Sequence, residues 1–132
     1  MKDCIFCKIA AGEIPSNKIY EDSNFLAFLD IRPLSEGMSL VIPKKHVTPN
    51  FPDSDPEVLS EGIKVTHKVA NMLQKALNTK RVFLSIEGLD VDHLHFKLYP
   101  SHGKSPGEIL RNGPAEISEK ELEELAEKIR NS

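Results

Sequence analysis

Short apolar runs alternate with turn-forming residues along most of the chain. Ser23-Asn24 separates the first two runs and is a turn signal, so the two runs predict a β-hairpin. The next run, residues 38–43, predicts a strand that is buried on at least one face. Five strands are predicted in all: residues 18–22, 25–31, 38–43, 81–86 and 93–99.

Two other stretches carry apolar residues at helical spacing. The first follows Ser54-Asp55-Pro56-Glu57, a capping-box pattern with proline near the helix start, and ends near Asn78. The second follows another capping box, Ser118-Glu119-Lys120-Glu121, and is a charged helix with a narrow apolar stripe. The apolar residues of the first helix are Val58, Leu59, Ile63, Val65, Val69, Met72, Leu73 and Leu77.

Together these elements define the expected fold class. Strands connected as hairpins, with one long central helix, predict an α+β fold with a five-stranded antiparallel sheet. A chain of 132 residues suits one domain with a substantial core. We expect a single domain over residues 1–132, with a core at residues 4–100 and a C-terminal extension whose helix covers about residues 118–130.

Composition and charge narrow the functional classes. The net charge of -3 and the pI near 5.9 argue against general nucleic-acid binding or a membrane surface, since both need a basic face. No apolar run approaches the length of a membrane span, and the N-terminus lacks the apolar centre of a signal peptide. We therefore expect a cytoplasmic protein without a membrane partner.

Cys4 and Cys7 form a Cys-x-x-Cys pattern at the start of the chain. A structural disulfide is not expected in a reducing cytosol, which leaves metal binding and redox chemistry. A redox dithiol usually begins a helix that follows a strand, and no strand is predicted before Cys4. The pattern is better interpreted as half of a zinc site that needs two further ligands from later in the chain.

The segment from His93 to Tyr99 alternates between polar and apolar side chains. Strand periodicity places His93, His95, Lys97 and Tyr99 on one face, and the intervening apolar residues on the face toward the core. Two imidazoles and an ammonium in a row are costly unless an anion or a metal lies over them. The plainer alternative is the solvated polar face of an edge strand.

This row of side chains suits attack on phosphorus. A neutral imidazole is a good nucleophile near pH 7 because its pKa lies close to that value. A rigid strand fixes the direction of the imidazole, and a neighbouring cation stabilises charge on phosphate oxygens. His95, with Lys97 beside it, is therefore a candidate catalytic residue.

Four segments, in this order and spacing, resemble the histidine triad (HIT) family, in particular its Hint branch. The resemblance covers residues 4–100 and implies a HIT-like fold and a homodimer. The four segments are Cys4-Ile5-Phe6-Cys7-Lys8-Ile9, Phe28-Leu29-Asp30-Ile31-Arg32-Pro33, Leu40-Val41-Ile42-Pro43-Lys44-Lys45-His46 and His93-Leu94-His95-Phe96-Lys97.

The resemblance also implies roles for individual residues. His95 occupies the position of the family's nucleophile, which forms a transient nucleotidyl-histidine. His93 occupies the position whose backbone carbonyl fixes the tautomer of the nucleophile, and Asp30 matches the acid that holds the ribose hydroxyls. Four apolar residues fall where the family encloses the purine, although such residues are often plain core. These four are Phe6, Ile9, Phe28 and Ile31.

In zinc-bearing relatives the metal is held by the two cysteines, a histidine after the Val-Ile-Pro-Lys strand and the first motif histidine. The matching residues here are Cys4, Cys7, His46 and His93. The resemblance thus implies a structural Zn²⁺ in a closed tetrahedral site. The alternative is two free thiols and unrelated histidines.

Three departures from the family pattern bear on activity. The third motif histidine is Lys97, the residue after Gly37 is Met38 instead of histidine, and the loop before the motif is shortened to residues 85–90. Lys97 can still contact phosphate as a point charge, but it would act as a general acid only if its pKa were lowered, which neighbouring cations would favour. Asp90 lies where a small hydroxyl residue is usual, and an acid there repels phosphate unless it turns away.

The sequence therefore predicts a purine nucleotide hydrolase or transferase that acts at the α-phosphate through nucleotidyl-His95. By resemblance, its substrates are nucleoside phosphoramidates, adenylated amines or dinucleoside polyphosphates. The alternative is a zinc-stabilised nucleotide-binding module with weak or no catalysis, which Lys97 and the short loop support. His102 and Lys104 are interpreted as solvated loop residues, with contact to the leaving group or the distal phosphates as the alternative, and His67 is interpreted as a surface residue of the central helix.

Overall fold

The computed structural model describes residues 3–132, so the first two residues of the predicted domain lie outside the described part. The strands pair antiparallel throughout, in the order β1-β2-β3-β5-β4. They are β1 (Lys18–Glu21), β2 (Phe25–Leu29), β3 (Ser39–Pro43), β4 (Val82–Ser85) and β5 (Phe96–Pro100). The helices are α1 (Ile5–Ala10), α2 (Pro56–Leu77), α3 (Pro106–Arg111) and α4 (Glu119–Arg130), with a short 3₁₀ turn at Phe51–Asp53. The predicted α+β fold with a five-stranded antiparallel sheet is confirmed.

The first hairpin forms at the predicted turn. The carboxylate of Asp22 accepts hydrogen bonds from the backbone N–H groups of Asn24 (2.8 Å) and Phe25 (2.7 Å), which reverses the chain between β1 and β2. From there β2 continues into a regular ladder with β3, in which Leu26 lies opposite Ile42. The middle of the sheet is thus specified locally.

Helix α2 begins one residue later than the capping-box pattern implied, so that prediction is wrong in detail. The cap is Asp55, whose carboxylate accepts the N–H of Glu57 at 2.9 Å, because Pro56 takes the first helical position. Ser54 instead donates its hydroxyl to the carbonyls of Thr48 and Asn50. The helix ends as predicted, at Asn78 in the left-handed conformation.

The face that α2 presents to the sheet differs from the predicted apolar stripe. Its buried residues are Gly62, Thr66, Val69 and Leu73, whereas Ile63 is 43% exposed. Gly62 is needed because the Phe96 ring approaches closely: an added Cβ would lie 2.4 Å from the ring. Backbone contact, rather than a large side chain, therefore sets the distance between α2 and β5.

Both faces of the sheet are covered. Helices α2 and α4 cover one face, where Phe25, Ala27 and Val41 belong to the larger core cluster. Helix α1 covers the other face, where Phe6 and Ile9 pack among Leu26, Phe28, Leu40 and Ile42. Helix α4 follows the predicted capping box, with the Ser118 hydroxyl accepting the N–H of Glu121. In residues 3–132, no helix is both long and apolar enough to cross a membrane.

In the histidine segment, residues 93–99, the paired strand β5 starts only at Phe96, later than predicted, and His93 lies in a bend in which its N–H donates to the carbonyl of Val91 at 2.9 Å. Before it, Leu94 donates its N–H to the carbonyl of Val47, in the loop after β3. Leu94, Phe96 and Leu98 enter the larger core cluster, as their alternation predicts. The edge-strand alternative is wrong, because β5 lies between β3 and β4 and both histidines are buried.

Candidate active site and metal site

The two cysteines and two histidines predicted as metal ligands converge beneath the N-terminus of α1. The ligand atoms of Cys4, Cys7, His46 and His93 all lie within 4.8 Å of one another. Nδ1 of His93 lies 3.3 Å from the Cys4 sulfur and 3.5 Å from the Cys7 sulfur, and Nδ1 of His46 lies 3.3 Å from the Cys7 sulfur. Residues that are up to 89 positions apart along the chain thus form one cluster.

The geometry and chemistry of this cluster fit a tetrahedral metal ion. In a zinc site with Zn–S of about 2.3 Å and Zn–N of about 2.0 Å, sulfur and nitrogen ligands lie about 3.5 Å apart. The observed separations are within a few tenths of an ångström of that value. Thiolate sulfur and imidazole nitrogen are also the ligands that zinc prefers. The four residues can therefore hold a metal ion.

His93 is oriented by a bond on its other ring nitrogen. Its Nε2–H donates to the carbonyl of Pro43 at 2.8 Å, which leaves the lone pair on Nδ1 directed toward the cysteines. The imidazole is fully buried, and this burial lowers its pKa, so the ring is held neutral as a metal ligand must be. The carbonyl at the end of β3 thus selects the ligating tautomer.

The backbone of the same residue orients His95. Nδ1–H of His95 donates to the carbonyl of His93 at 2.7 Å, so the lone pair of its imidazole is on Nε2. Within residues 3–132, no protein group forms a hydrogen bond to that Nε2 atom. Burial lowers the pKa of His95, partly offset by the bond to His93, and the charge of Lys97 lowers it further. A neutral imidazole with a free Nε2 lone pair is the form that attacks an electrophile.

Apolar and acidic residues predicted to bind a nucleotide divide into two groups. Phe6, Ile9 and Phe28 are buried together, and the Phe6 ring lies edge-on to the His95 ring with centroids 5.0 Å apart. Ile31 is exposed in the loop after β2, and the carboxylate of Asp30 accepts the N–H of Arg32 at 2.8 Å. The three buried residues therefore form an apolar wall beside His95, whereas Ile31 and Asp30 lie just after the end of β2.

Lys97 lies next to His95 along the row but is already paired. Its ammonium donates to a carboxylate oxygen of Glu87 at 2.6 Å and lies 3.9 Å from a carboxylate oxygen of Asp90. Burial lowers the pKa of Lys97, but the hydrogen bond and charge of Glu87 outweigh that effect and raise it above its ordinary value. The condition for Lys97 to act as a general acid, a lowered pKa, is therefore not met.

The remaining residues singled out in the sequence lie outside this row. Met38 packs with Tyr99 and Ile109, and α3, which carries Ile109, was not predicted. Its signal was the Ser105-x-x-Glu108 capping box, which forms at the start of α3. His102 donates its Nε2–H to the carbonyl of Glu36, and His67 is exposed on α2.

The sequence interpretation missed Glu87 and the carbonyl of Pro43. An acidic residue in the loop before Lys97 was a usable signal for Glu87, since a buried ammonium needs a counter-charge. The Pro43 carbonyl has no signature in the side-chain pattern. The fold and site together define a histidine-centred site on an antiparallel sheet, braced by an adjoining cysteine–histidine cluster.

Comparisons with known proteins agree with this description. The family model of the HIT domain matches residues 11–103. An adenosine 5'-monophosphoramidase of Schizosaccharomyces pombe is 38% identical over 133 residues, which cover 96% of this chain and 95% of that protein. The chain belongs to the HIT family.

Two solved structures share the fold. A hypothetical histidine triad nucleotide-binding protein from Sulfolobus tokodaii has a TM-score of 0.84 and 31% identity, with 97% of this chain and 90% of that chain covered. A zinc-bound histidine triad family protein from Mycobacterium smegmatis has a TM-score of 0.78 and 29% identity, with 98% and 92% covered.

The electrostatics of the site predict how His95 titrates. We expect the imidazole of His95 to protonate below its ordinary pKa of 6.5, and Lys97→Met to raise that pKa because a neighbouring positive charge is lost. Lys97→Arg retains the charge and serves as the control. Nitrogen chemical shifts of the ring, followed by NMR against pH, measure both effects. A pKa for His95 that is unchanged in Lys97→Met would contradict the assignment.

Proposed function

We propose that the protein is a purine nucleotide hydrolase or transferase that works through a nucleotidyl-His95 intermediate, with nucleoside phosphoramidates as its substrate class. The observation that carries this proposal is the buried, neutral imidazole of His95, with Nδ1–H bound to the His93 carbonyl and Nε2 free. The adenosine 5'-monophosphoramidase activity of the S. pombe relative supports the same class of reaction.

In the first step, the Nε2 lone pair of His95 attacks the α-phosphorus, and the bond from phosphorus to the leaving nitrogen breaks. The leaving amine takes up a proton from solvent, and His95 becomes a positively charged nucleotidyl-imidazole. The His93 carbonyl, 2.7 Å from Nδ1, stabilises that charge. Water then attacks phosphorus, and the products are the nucleoside monophosphate and neutral His95, with the proton released to solvent.

Lys97 contributes a fixed positive charge in this proposal. Its ammonium stays protonated because Glu87 raises its pKa, so it can attract the phosphate oxygens without donating a proton. Phe6, Ile9, Phe28 and Ile31 would enclose the purine, and Asp30 would bind the ribose hydroxyls. For Asp30, this requires the carboxylate to accept from the ribose while one oxygen holds the N–H of Arg32.

The pairing of Lys97 with Glu87 favours a second candidate, a nucleotide-binding module with weak or no turnover. Phosphate has to compete with Glu87 for the ammonium, so less charge is free to stabilise the transition state. The two candidates differ in product formation, and one assay separates them.

Hydrolysis of adenosine 5'-phosphoramidate is expected for the wild type, with kcat/KM lower by at least about a thousandfold in His95→Ala and His95→Asn. His67→Asn, a histidine change on the exposed side of α2, is the control and is expected to match the wild type. Chromatographic detection of AMP is the measurement. Equal rates in all four proteins would exclude the mechanism, and tight AMP binding without product over hours would favour the binding module.

We further propose that Cys4, Cys7, His46 and His93 hold a structural zinc ion, as the zinc-bound M. smegmatis relative suggests. A closed four-ligand zinc supplies folding energy and no reactive position. It would join α1 to the histidine segment, and so hold Phe6 against His95.

About one zinc per chain is expected in the wild type by metal analysis, and much less than one in Cys7→Ser. A metal ion that binds only the folded state stabilises that state, so its loss should lower the midpoint of thermal unfolding by about 5 °C or more. His67→Ala, which removes a histidine outside the cluster, should retain both the metal and the midpoint. Full zinc content in Cys7→Ser would contradict the ligand assignment.

We also propose a homodimer. Its interface would lie at the edge of the sheet that β4 forms. Phe51, Ile63 and Leu84 are exposed apolar residues there, and Phe51 and Ile63 border a concave surface of about 650 Å³ that Leu59 and Ile86 also line. An edge strand with exposed apolar neighbours is a surface that a second copy can cover.

A dimer mass is therefore expected from light scattering at micromolar concentration, and a monomer mass for Ile63→Glu combined with Leu84→Glu. Two carboxylates cannot be buried there without partners, which is why the interface should open. Leu110→Glu, which changes another exposed leucine, on α3, is the control. A monomeric wild type, or a dimer in the double variant, would show the assignment of this surface to be wrong.

A further inference from the structure

Two carboxylates stand beside the proposed nucleophile, and only one cation faces them. The Lys97 ammonium donates to Glu87 at 2.6 Å and lies 3.9 Å from Asp90. Within residues 3–132, it is the only cation at salt-bridge distance from either carboxylate. One positive and two negative charges therefore adjoin His95, so the group as a whole is formally anionic.

The loop that carries these carboxylates is held in place. Gly88 has φ +63°, in the left-handed region, and packs so closely on Pro49 that an added Cβ would lie 2.2 Å from the proline side chain. The neighbouring Glu87 is anchored by its bond to Lys97, whose side chain is only 13% exposed. Asp90 is different: its side chain is 83% exposed, and its nearer carboxylate oxygen lies 3.9 Å from the same ammonium.

These positions determine which charges a ligand meets. Glu87 offsets the charge of Lys97, and Asp90 leaves one negative charge without a cation of its own. Both carboxylates lie within 4 Å of the ammonium of Lys97, which is two residues from His95 along the chain. A charged group on the departing half of the substrate lies within the range of these carboxylates, since screening in water takes about 8–10 Å at ordinary ionic strength.

We propose that Glu87 and Asp90 select the leaving group by its charge, which makes this a site for nucleotide phosphoramidates whose amine portion carries a cationic group. This inference rests on the proposed function, because it concerns the departing half of the same substrate. A cationic amine portion is attracted to the Asp90 and Glu87 carboxylates, whereas an anionic one is repelled by both. The phosphorus chemistry at His95 is unchanged.

A series of three substrates tests charge at constant shape. Adenosine 5'-phosphoramidates of ethylenediamine, propylamine and β-alanine have the same two-carbon spacer and end in an ammonium, a methyl group and a carboxylate. For the wild type, kcat/KM should fall in that order, by at least about fivefold from the first substrate to the last. The ratio should shrink as salt is raised.

Glu87→Gln and Asp90→Asn remove one carboxylate each. Each change should reduce the difference in kcat/KM between the three substrates. Glu87→Gln should raise kcat/KM for the β-alanine conjugate most, because it also releases the Lys97 ammonium from its partner. Asp90→Asn alters an exposed side chain and tests the idea even if Glu87→Gln folds poorly. Glu123 is an exposed glutamate on α4, and Glu123→Gln makes the same change in net charge outside the loop that carries Glu87 and Asp90. It should leave the order of kcat/KM among the three substrates unchanged.

The outcomes separate this inference from the proposed function. Hydrolysis of all three substrates at equal rates, or an order that persists in both carboxamide variants, would overturn charge selection while leaving the hydrolase intact. A wild type that cleaves none of the three would overturn both. A changed order in Glu123→Gln would attribute the effect to net charge and would also overturn it.

Discussion

The rest of the site depends on the three bonds of His93. Its Nε2–H donates to Pro43 at the end of β3, its Nδ1 faces the cysteines of α1, and its carbonyl accepts Nδ1–H of His95. Each bond constrains the next: the carbonyl of Pro43 selects the tautomer that can ligate a metal, and the carbonyl of His93 selects the tautomer that leaves Nε2 of His95 free. Because His93 is fully buried, a broken bond would leave an unpaired polar atom in the core, so the arrangement resists local rearrangement.

This dependence explains why a helix of only six residues can be part of the site. A helix as short as α1 has little stability of its own, since nucleation costs more than so few hydrogen bonds return. Its place is set by tertiary contacts: Phe6 and Ile9 in the apolar cluster, and Cys4 and Cys7 against His93. The metal cluster and the wall beside His95 therefore share one element. A metal ion there would act on the site by holding α1 against the sheet.

The sequence predicted the parts of the fold that local physics determines. Short apolar runs between turn signals, with the alternation over residues 93–99, located all five strands, and helical spacing of apolar residues located α2 and α4. It failed where tertiary contacts decide. Ile63 matched the helical stripe, yet the sheet takes Gly62 because Phe96 needs the space. Cys4 and Cys7 were recognised from their spacing as half of a zinc site, but His46 and His93 could be named as the other ligands only through resemblance. An acid in the loop before Lys97 was a signal for Glu87, but only the pairing of β4 with β5 shows which acid lies beside the ammonium.

Lysine in place of the third motif histidine changes the charges of the site, because it brings in acidic partners from the loop before it. A neutral imidazole can be buried with a hydrogen bond alone, whereas an ammonium with 13% exposure needs an opposite charge to offset its desolvation. Glu87 provides that charge, and with its partner it forms a pair that is nearly neutral when seen from a distance. The exposed carboxylate of Asp90 then lacks a cation of its own. Lys97, Glu87 and Asp90 are thus best understood as one electrostatic unit. Glu87 offsets the attraction of Lys97 for phosphate. Under the proposed charge selection, the unit therefore acts mainly on the charge of the amine portion attached to the phosphate.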